Sequence, residues 1–333
     1  MSLSILGSGV YLPPAKDVRE LVAAHGGDLS QYAGWANVCI ARDEDHPGLM
    51  AGRALAEALD QAQVAPEQLG LVIFAGASRD YPPSWSVSTE AMRLVGASSG
   101  CLGLDVTAGC AATLAALELV HGWLALRGDG FGAVVVAERW SYTIDYSNAA
   151  NRGIWTHGDS AAALIVSLNR PERRPERAVA TYLGAEFASV AANNGHVLIP
   201  YGGTRMPVAP EGVDPFHRVV SDRPGKEILE SYKNGFQQAY AALQARFGLT
   251  PAHLLCNQTT PNMVRMVAEA AGMSMDDTVI TGDDTGHLGG ADIIVGLRRL
   301  IGGGGVTSPV LMASSTAYAF GMGLLVPSQT LNM

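Results

Sequence analysis

A layered α/β fold is what this sequence predicts, on three observations. Short apolar runs bounded by turn residues alternate with longer segments of helical periodicity. The 333 residues are 48% hydrophobic and only 16% charged, enough to bury a substantial core. The order of elements in the first half also recurs in the second.

Taken in order, LSILGSGVYL reads as a strand, HPGLMAGRALAEALDQAQV as a helix and LGLVIFAGA as a second strand. VSTEAMRLVGA is a helix, LGLDVTA a strand, TAGCAATLAALELV a helix beginning at Cys110, and FGAVVVAE a strand. The segment NRPERRPERA, Asn169 to Ala178, alternates arginine with glutamate and proline and reads as a solvated linker. AVATYLGAEF restarts the pattern, followed by a glycine-rich excursion near Tyr201 to Thr204 and a polar-faced helix around Lys226 to Phe247. HLLCNQTT is strand-like, and PNMVRMVAEAAGM is a helix with Pro261 in its first turn and Gly272 at its stop. PVLMASSTAYAFGMGLLVP closes the chain as two strands.

The halves, 1–170 and 171–333, share one feature that bears on chemistry. TAGCAATLAAL (Thr107 to Leu117) and DTGHLGGADII (Asp284 to Ile294) each set a reactive residue beside glycine and run into an apolar helix. Cys110 and His287 occupy matching places, so two related halves meeting face to face would bring two helix N-termini into one pocket.

Several function classes are excluded or disfavoured. The formal charge of −9 argues against a nucleic-acid surface, although a local basic patch for an acidic carrier protein remains compatible with it. The four cysteines, at 39, 101, 110 and 256, have neither disulfide-framework nor zinc-site spacing, so no metal is expected. The opening MSLSILGSGVYLPP lacks a signal-peptide pattern, and runs such as FGAVVVAE are too short to span a bilayer, which makes the cytoplasm the expected compartment and a membrane partner unexpected.

A thiol at a helix N-terminus meets unpaired backbone N–H groups and the positive end of the macrodipole, which favour the nucleophilic thiolate. Ala111 and Ala112 would let a substrate carbonyl approach, and the Cys110 N–H could hold an oxyanion. Buried packing is the alternative use of such a cysteine. His287 sits in a turn-like DTGHLGG segment. Asp292, five residues on, is off its helical face and reaches it only if Gly289 and Gly290 delay the helix. Asn257 could donate to a carbonyl or simply close a turn, and His157 in WTHGDSAAAL reads as structural.

At these residues the chain resembles the ketoacyl synthase III family of the thiolase superfamily, nearly end to end. GSGVYLP resembles its opening strand, DVTAGCAATLAAL its nucleophile segment, HGDSAAALIV its Gly-Asp strand, and AFGMGLL its closing strand. The resemblance implies a thiolase fold, a duplicated five-layered αβαβα arrangement, and a homodimer. It implies that Cys110 is acylated from an acyl-CoA or acyl-carrier-protein thioester, with no permanently bound cofactor, and that the backbone N–H groups of Cys110 and Met322 form the oxyanion hole. The chain departs from the family where NQTT puts Asn257 in place of a histidine and GHL puts His287 in place of an asparagine. Coenzyme A contacts are not assigned, since Trp35 and Arg42 stand in shifted spacing.

The exchange resembles a divergent Cys-His-Asp branch that passes acyl groups to a hydroxyl or amine acceptor, or primes polyketide chains. AFGMGLL offers no second cysteine of the thiolase kind. The expected activity is acyl transfer through acyl-Cys110 with His287, Asp292 and Asn257 assisting, in natural-product, polyketide or fatty-acid biosynthesis. Decarboxylative Claisen condensation and a non-catalytic acyl-binding subunit are the alternatives. The acceptor would be a small molecule or a carrier-bound group.

Overall fold

The computed structural model describes residues 2–82, 84–169 and 178–328, so most of the Arg/Pro segment read as a linker lies outside the described residues. The chain begins with β1 (Ser2–Tyr11), followed by β2 (Ala15–Asp17), α1 (Val18–Ala24) and β3 (Asn37–Cys39). Next come α2 (Pro47–Ala62), β4 (Leu69–Ala75), α3 (Val87–Val95) and β5 (Leu102–Val106). A single 3₁₀ turn, Gly109–Ala111, leads into α4 (Ala112–Arg127), and β6 (Phe131–Arg139) and β7 (Asp159–Asn169) follow. The rest of the chain forms β8 (Ala180–Ser189), β9 (Val197–Leu198), β10 (Val219–Val220), α5 (Gly225–Phe247) and β11 (His253–Cys256). It ends with α6 (Pro261–Ala270), α7 (Gly282–Thr285), α8 (Ala291–Gly302), β12 (Val310–Thr316) and β13 (Ala319–Val326).

Hydrogen bonding joins the main strands in the order β11-β12-β13-β8-β1-β7-β6-β4-β5. The join in the middle is slight. Only Leu3, Ser4 and Ile5 of β1 pair with β8. Outward from that seam the two sides repeat: β1–β7 and β7–β6 are antiparallel and β6–β4 parallel, while β8–β13 and β13–β12 are antiparallel and β12–β11 parallel.

The layering follows from where the apolar faces go. Helices α2 and α3 cover one outer face, with Met50, Leu55 and Val87 packed on Val72 and Phe74. On the opposite side Phe236 and Leu243 of α5 and Val264 of α6 pack on Leu254, Leu311 and Phe320. Between them lie α4 and α8, whose Leu114, Leu117, Ile294 and Leu297 share one cluster with Ile73, Leu164, Tyr182 and Met312. Helix α4 turns a broad apolar face into this layer, while Glu118, Leu119 and Leu126 lie on its less buried side. Its Leu114, Leu117, Val120 and Leu124 are fully buried, each contributing about 1.5–3 kcal/mol of burial.

This arrangement explains a feature the reading of apolar runs passed over. Gly109–Arg127 spans 19 residues with mean hydropathy 1.4, long and apolar enough by length and composition to cross a membrane. Here half of that window is buried inside the protein, and its composition is that of a central core helix.

Candidate active site

The two central helices start against one another. Gly109 has φ +52°, and a Cβ there would lie 2.7 Å from Thr316 Oγ1; a Cβ on Gly290 would lie 2.4 Å from Thr113 Oγ1. Only glycine tolerates both approaches. Thr113 Oγ1 donates to the Gly290 carbonyl at 2.9 Å, and Ser314 Oγ donates to the Cys110 carbonyl, pinning both helix starts.

Cys110 Sγ lies 3.5 Å from His287 Nε2, and His287 Nδ1 lies 2.6 Å from Asp292 Oδ2. Gly290 is the N-cap of α8, so the helix begins only at Ala291 and the irregular Leu288–Gly290 segment carries Asp292 back to the imidazole. Asp292 also accepts from Leu288 N at 2.9 Å and from Gln258 N at 2.8 Å. The backbone of His287 is held across the site, its N–H on the Thr156 carbonyl and its carbonyl on Gly158 N.

Burial alone drives the pKa of His287 down. The charges of Asp292 and Cys110, with the hydrogen bonds to both, override it and push the value up to about 10. His157 behaves oppositely: burial, then the neighbouring charges of His287 and Arg218, lower it well below its ordinary 6.5. The signs set a stability profile. The His287 contribution is complete below an unfolded-state value near 6.5 and is lost as pH rises toward 10. The His157 contribution is lost as pH falls below 6.5. Denaturation midpoints across this range should therefore peak between the two limbs, and a H287N/D292N double variant should lose the alkaline decline.

The site opens into a cavity of about 300 Å³, lined among others by Cys110, His287, His157, Trp140, Arg218 and Thr316. No sequence signal points to Trp140 or Arg218, and His157, read as structural, lines the same cavity. The Trp140 ring lies 5.4 Å from that of His287 and 5.0 Å from that of His157, and the Arg218 guanidinium sits 4.6 Å above the indole. Arg218 immediately precedes β10, which pairs with β9, and Val197, Leu198 and Ile199 from that ribbon also line the cavity. The glycine-rich segment near Tyr201 to Thr204 is not among the residues that line this cavity. Asp80 faces a separate one with His46 and Arg139.

Two further expectations change. The Asn257 amide does not face the cavity: Nδ2 donates to the Gly289 carbonyl at 2.7 Å and Oδ1 accepts from Ser315 N at 2.8 Å. It ties the α8 start to β12 instead of holding a substrate carbonyl. Met322 lies mid-strand in β13, fully buried and paired with Ala313 on one side and Glu186 on the other, so it cannot supply an oxyanion donor. The backbone that faces Cys110 from that hairpin is six residues earlier, at Thr316 and the turn through Tyr318. Trp35 is buried at 5% exposure, its indole N–H on the Gln258 carbonyl at 2.5 Å, and is not free to stack on a nucleotide.

The family model for 3-oxoacyl-[acyl-carrier-protein] synthase III matches residues 104–186, the stretch that contains Cys110. The chain is 25% identical to a beta-ketoacyl-[acyl-carrier-protein] synthase III of Symbiobacterium thermophilum, over 97% of this chain and 96% of that one. It is 24% identical to a 3-oxopimeloyl-[acyl-carrier-protein] synthase of Rhodothermus marinus, over 88% and 84%. The crystal structure of 3-oxoacyl-[acyl-carrier-protein] synthase III from Aquifex aeolicus superposes with TM-score 0.80 at 20% identity, covering 97% of this chain and 99% of that one, and shares the thiolase fold. The family-model match around Cys110, the thiolase fold and the near full-length likeness to curated relatives all make the chain similar to enzymes of the ketoacyl synthase III type.

Proposed function

We propose that the protein is a thioester-dependent acyltransferase that passes an acyl group from Cys110 to a hydroxyl or amine. The observation that carries this reading is the continuous line Cys110–His287–Asp292, with Asn257 turned away from the cavity. Such a line equips the site to move a proton at one atom, His287 Nε2, in both halves of a reaction.

In the first half Cys110 Sγ attacks the thioester carbonyl, the backbone N–H of Cys110 holds the tetrahedral oxyanion, and the C–S bond to coenzyme A or a carrier thiol breaks. The protonated His287 gives its proton to the departing sulfur. Acylation removes the Cys110 charge that helped hold this proton, so the imidazole is now a competent base. In the second half Nε2 takes the proton of the acceptor O–H or N–H, the new C–O or C–N bond forms, and the Cys110 sulfur leaves. Asp292 keeps Nδ1 protonated throughout.

The names of the relatives favour a second reading, decarboxylative Claisen condensation, which shares acyl-Cys110 but has a carbanion from a malonyl thioester as attacker. That route needs donors for an enolate oxyanion. Of the residues expected to supply them only His287 lines the cavity, and the Nε2 of His157 beside it, unpaired among the described residues, is the second donor that route would use. A malonyl-thioester assay separates the two: transfer moves the whole acyl group to an alcohol or amine without carbon dioxide, whereas one carbon dioxide per product would establish condensation. Absence of any adduct on Cys110 would leave an acyl-binding subunit.

A homodimer belongs to the same reading. The edge strand β5 exposes Leu102 and Leu104, at 51% and 40%, on an open ladder that another strand can extend. The molar mass in solution checks it. The donor is an acyl-CoA or an acyl carrier protein, in fatty-acid or polyketide chemistry, and the acceptor a small molecule or a carrier-bound group.

A further inference from the structure

One wall of the cavity carries hydrogen-bond donors that the transfer mechanism does not use. Arg218 NH1 lies 2.8 Å from His157 Nδ1. A guanidinium only donates, so Nδ1 accepts, and the ring proton of the neutral His157 is on Nε2. That Nε2 is buried and, among the described residues, has no hydrogen-bond partner. His157 is 9% exposed, and its ring stands edge-on to that of His287 at 4.7 Å. A buried donor left unpaired is destabilising unless something fills it.

Arg218 itself makes no ion pair with a carboxylate among the described residues. The buried acid Glu138, whose charge acts on Arg218, is occupied by Ala77 N, Ser78 N and Ser78 Oγ at 2.7–3.0 Å. The side chain donates to His157, lies over Trp140 and lines the same cavity as Cys110. Five N–H donors in a fork, one bond used, and an adjacent imidazole N–H together match the lone pairs of a carboxylate.

We propose that Arg218 and the Nε2–H of His157 form a carboxylate-recognition subsite, and that the acyl donor is the thioester of a short dicarboxylic acid, of malonyl to glutaryl length. The proposal rests on the transfer reading and deepens it. An ion pair to Arg218 stabilises the carboxylate where it stands, and loss of carbon dioxide would move that charge onto carbon, away from the cation. A malonyl group held this way is kept whole for transfer.

The test is a time course of Cys110 acylation, read by intact-protein mass, with malonyl-, succinyl- and glutaryl-CoA against acetyl- and butyryl-CoA. The expected result is a preference of at least about tenfold for the carboxylated donors in the wild type, within what a charge-assisted bidentate contact supports. That ratio should collapse in R218M, be partly kept in R218K, and fall in H157F. Equal rates for charged and neutral donors in the wild type, or an unchanged ratio in R218M, would overturn the subsite. Because each ratio is taken within one protein, a loss of folded material cannot imitate it, and the wild-type ratio decides the matter even if a variant fails to fold. Preferential malonylation followed by release of carbon dioxide would support the subsite while contradicting the transfer reading, so the two fail separately.

Discussion

Replacing His287 with alanine should leave an enzyme that still acylates Cys110 but turns over about 10²–10⁴-fold more slowly, the range for a positioned general base. The two half-reactions call on His287 differently. In acylation Cys110 attacks an already activated thioester, and the leaving thiolate is stable enough to depart with modest help. In transfer the attacker is a neutral hydroxyl or amine that must lose a proton, and His287 Nε2, 3.5 Å from Cys110 Sγ, is the group placed to take it. Acyl-Cys110 should therefore accumulate in the variant. Quenched-flow sampling with mass detection measures both rates, and an equal loss in both would reject this division of labour.

Asp292 carries the second large effect, and two substitutions separate its roles. The carboxylate is 1% exposed and accepts from His287 Nδ1, Leu288 N and Gln258 N. Alanine there would strand two backbone N–H groups and the imidazole, at a cost of about 3–5 kcal/mol for breaking a buried charged pair. A lower melting temperature reads that loss. Asparagine keeps the shape but turns an N–H toward Nδ1 or forfeits one of the three bonds, so the imidazole takes the wrong tautomer. Turnover should then fall by about 10⁴-fold, the size of the same error in hydrolytic triads. An Asp292→Asn protein with near-normal turnover would show that Asp292 only supports the helix start.

The parts of this site that were legible in sequence are those where local backbone chemistry and function coincide. Gly109 before Cys110 and Gly289-Gly290 after His287 mark helix starts, and those starts bring Cys110 and His287 together. Asp292 could be paired with His287 only through the delayed helix those glycines permit, and the structure shows that delay. Residue type was less informative for Asn257, since an amide able to hold a carbonyl is equally able to bind the Gly289 and Ser315 backbone.

The Met322 assignment failed for a physical reason. The glycines of AFGMGLL look like backbone shaped for a ligand, but Gly321 and Gly323 are small because Leu114 of α4 packs against the strand there. The segment that reaches Cys110 is the plainer STAY turn. Arg218 and Trp140 carried no signal: the first sits in an irregular stretch before β10, the second just beyond the end of β6, and no periodicity points either into a cavity.

Transfer through acyl-Cys110 is tested most directly by the mass of the intact protein before and after mixing with an acyl thioester, then after addition of an alcohol or amine acceptor. The expected result is an adduct of the complete acyl mass on the Cys110 peptide that disappears as the acceptor gains the same mass. An adduct on another residue, or none with any donor, would contradict it.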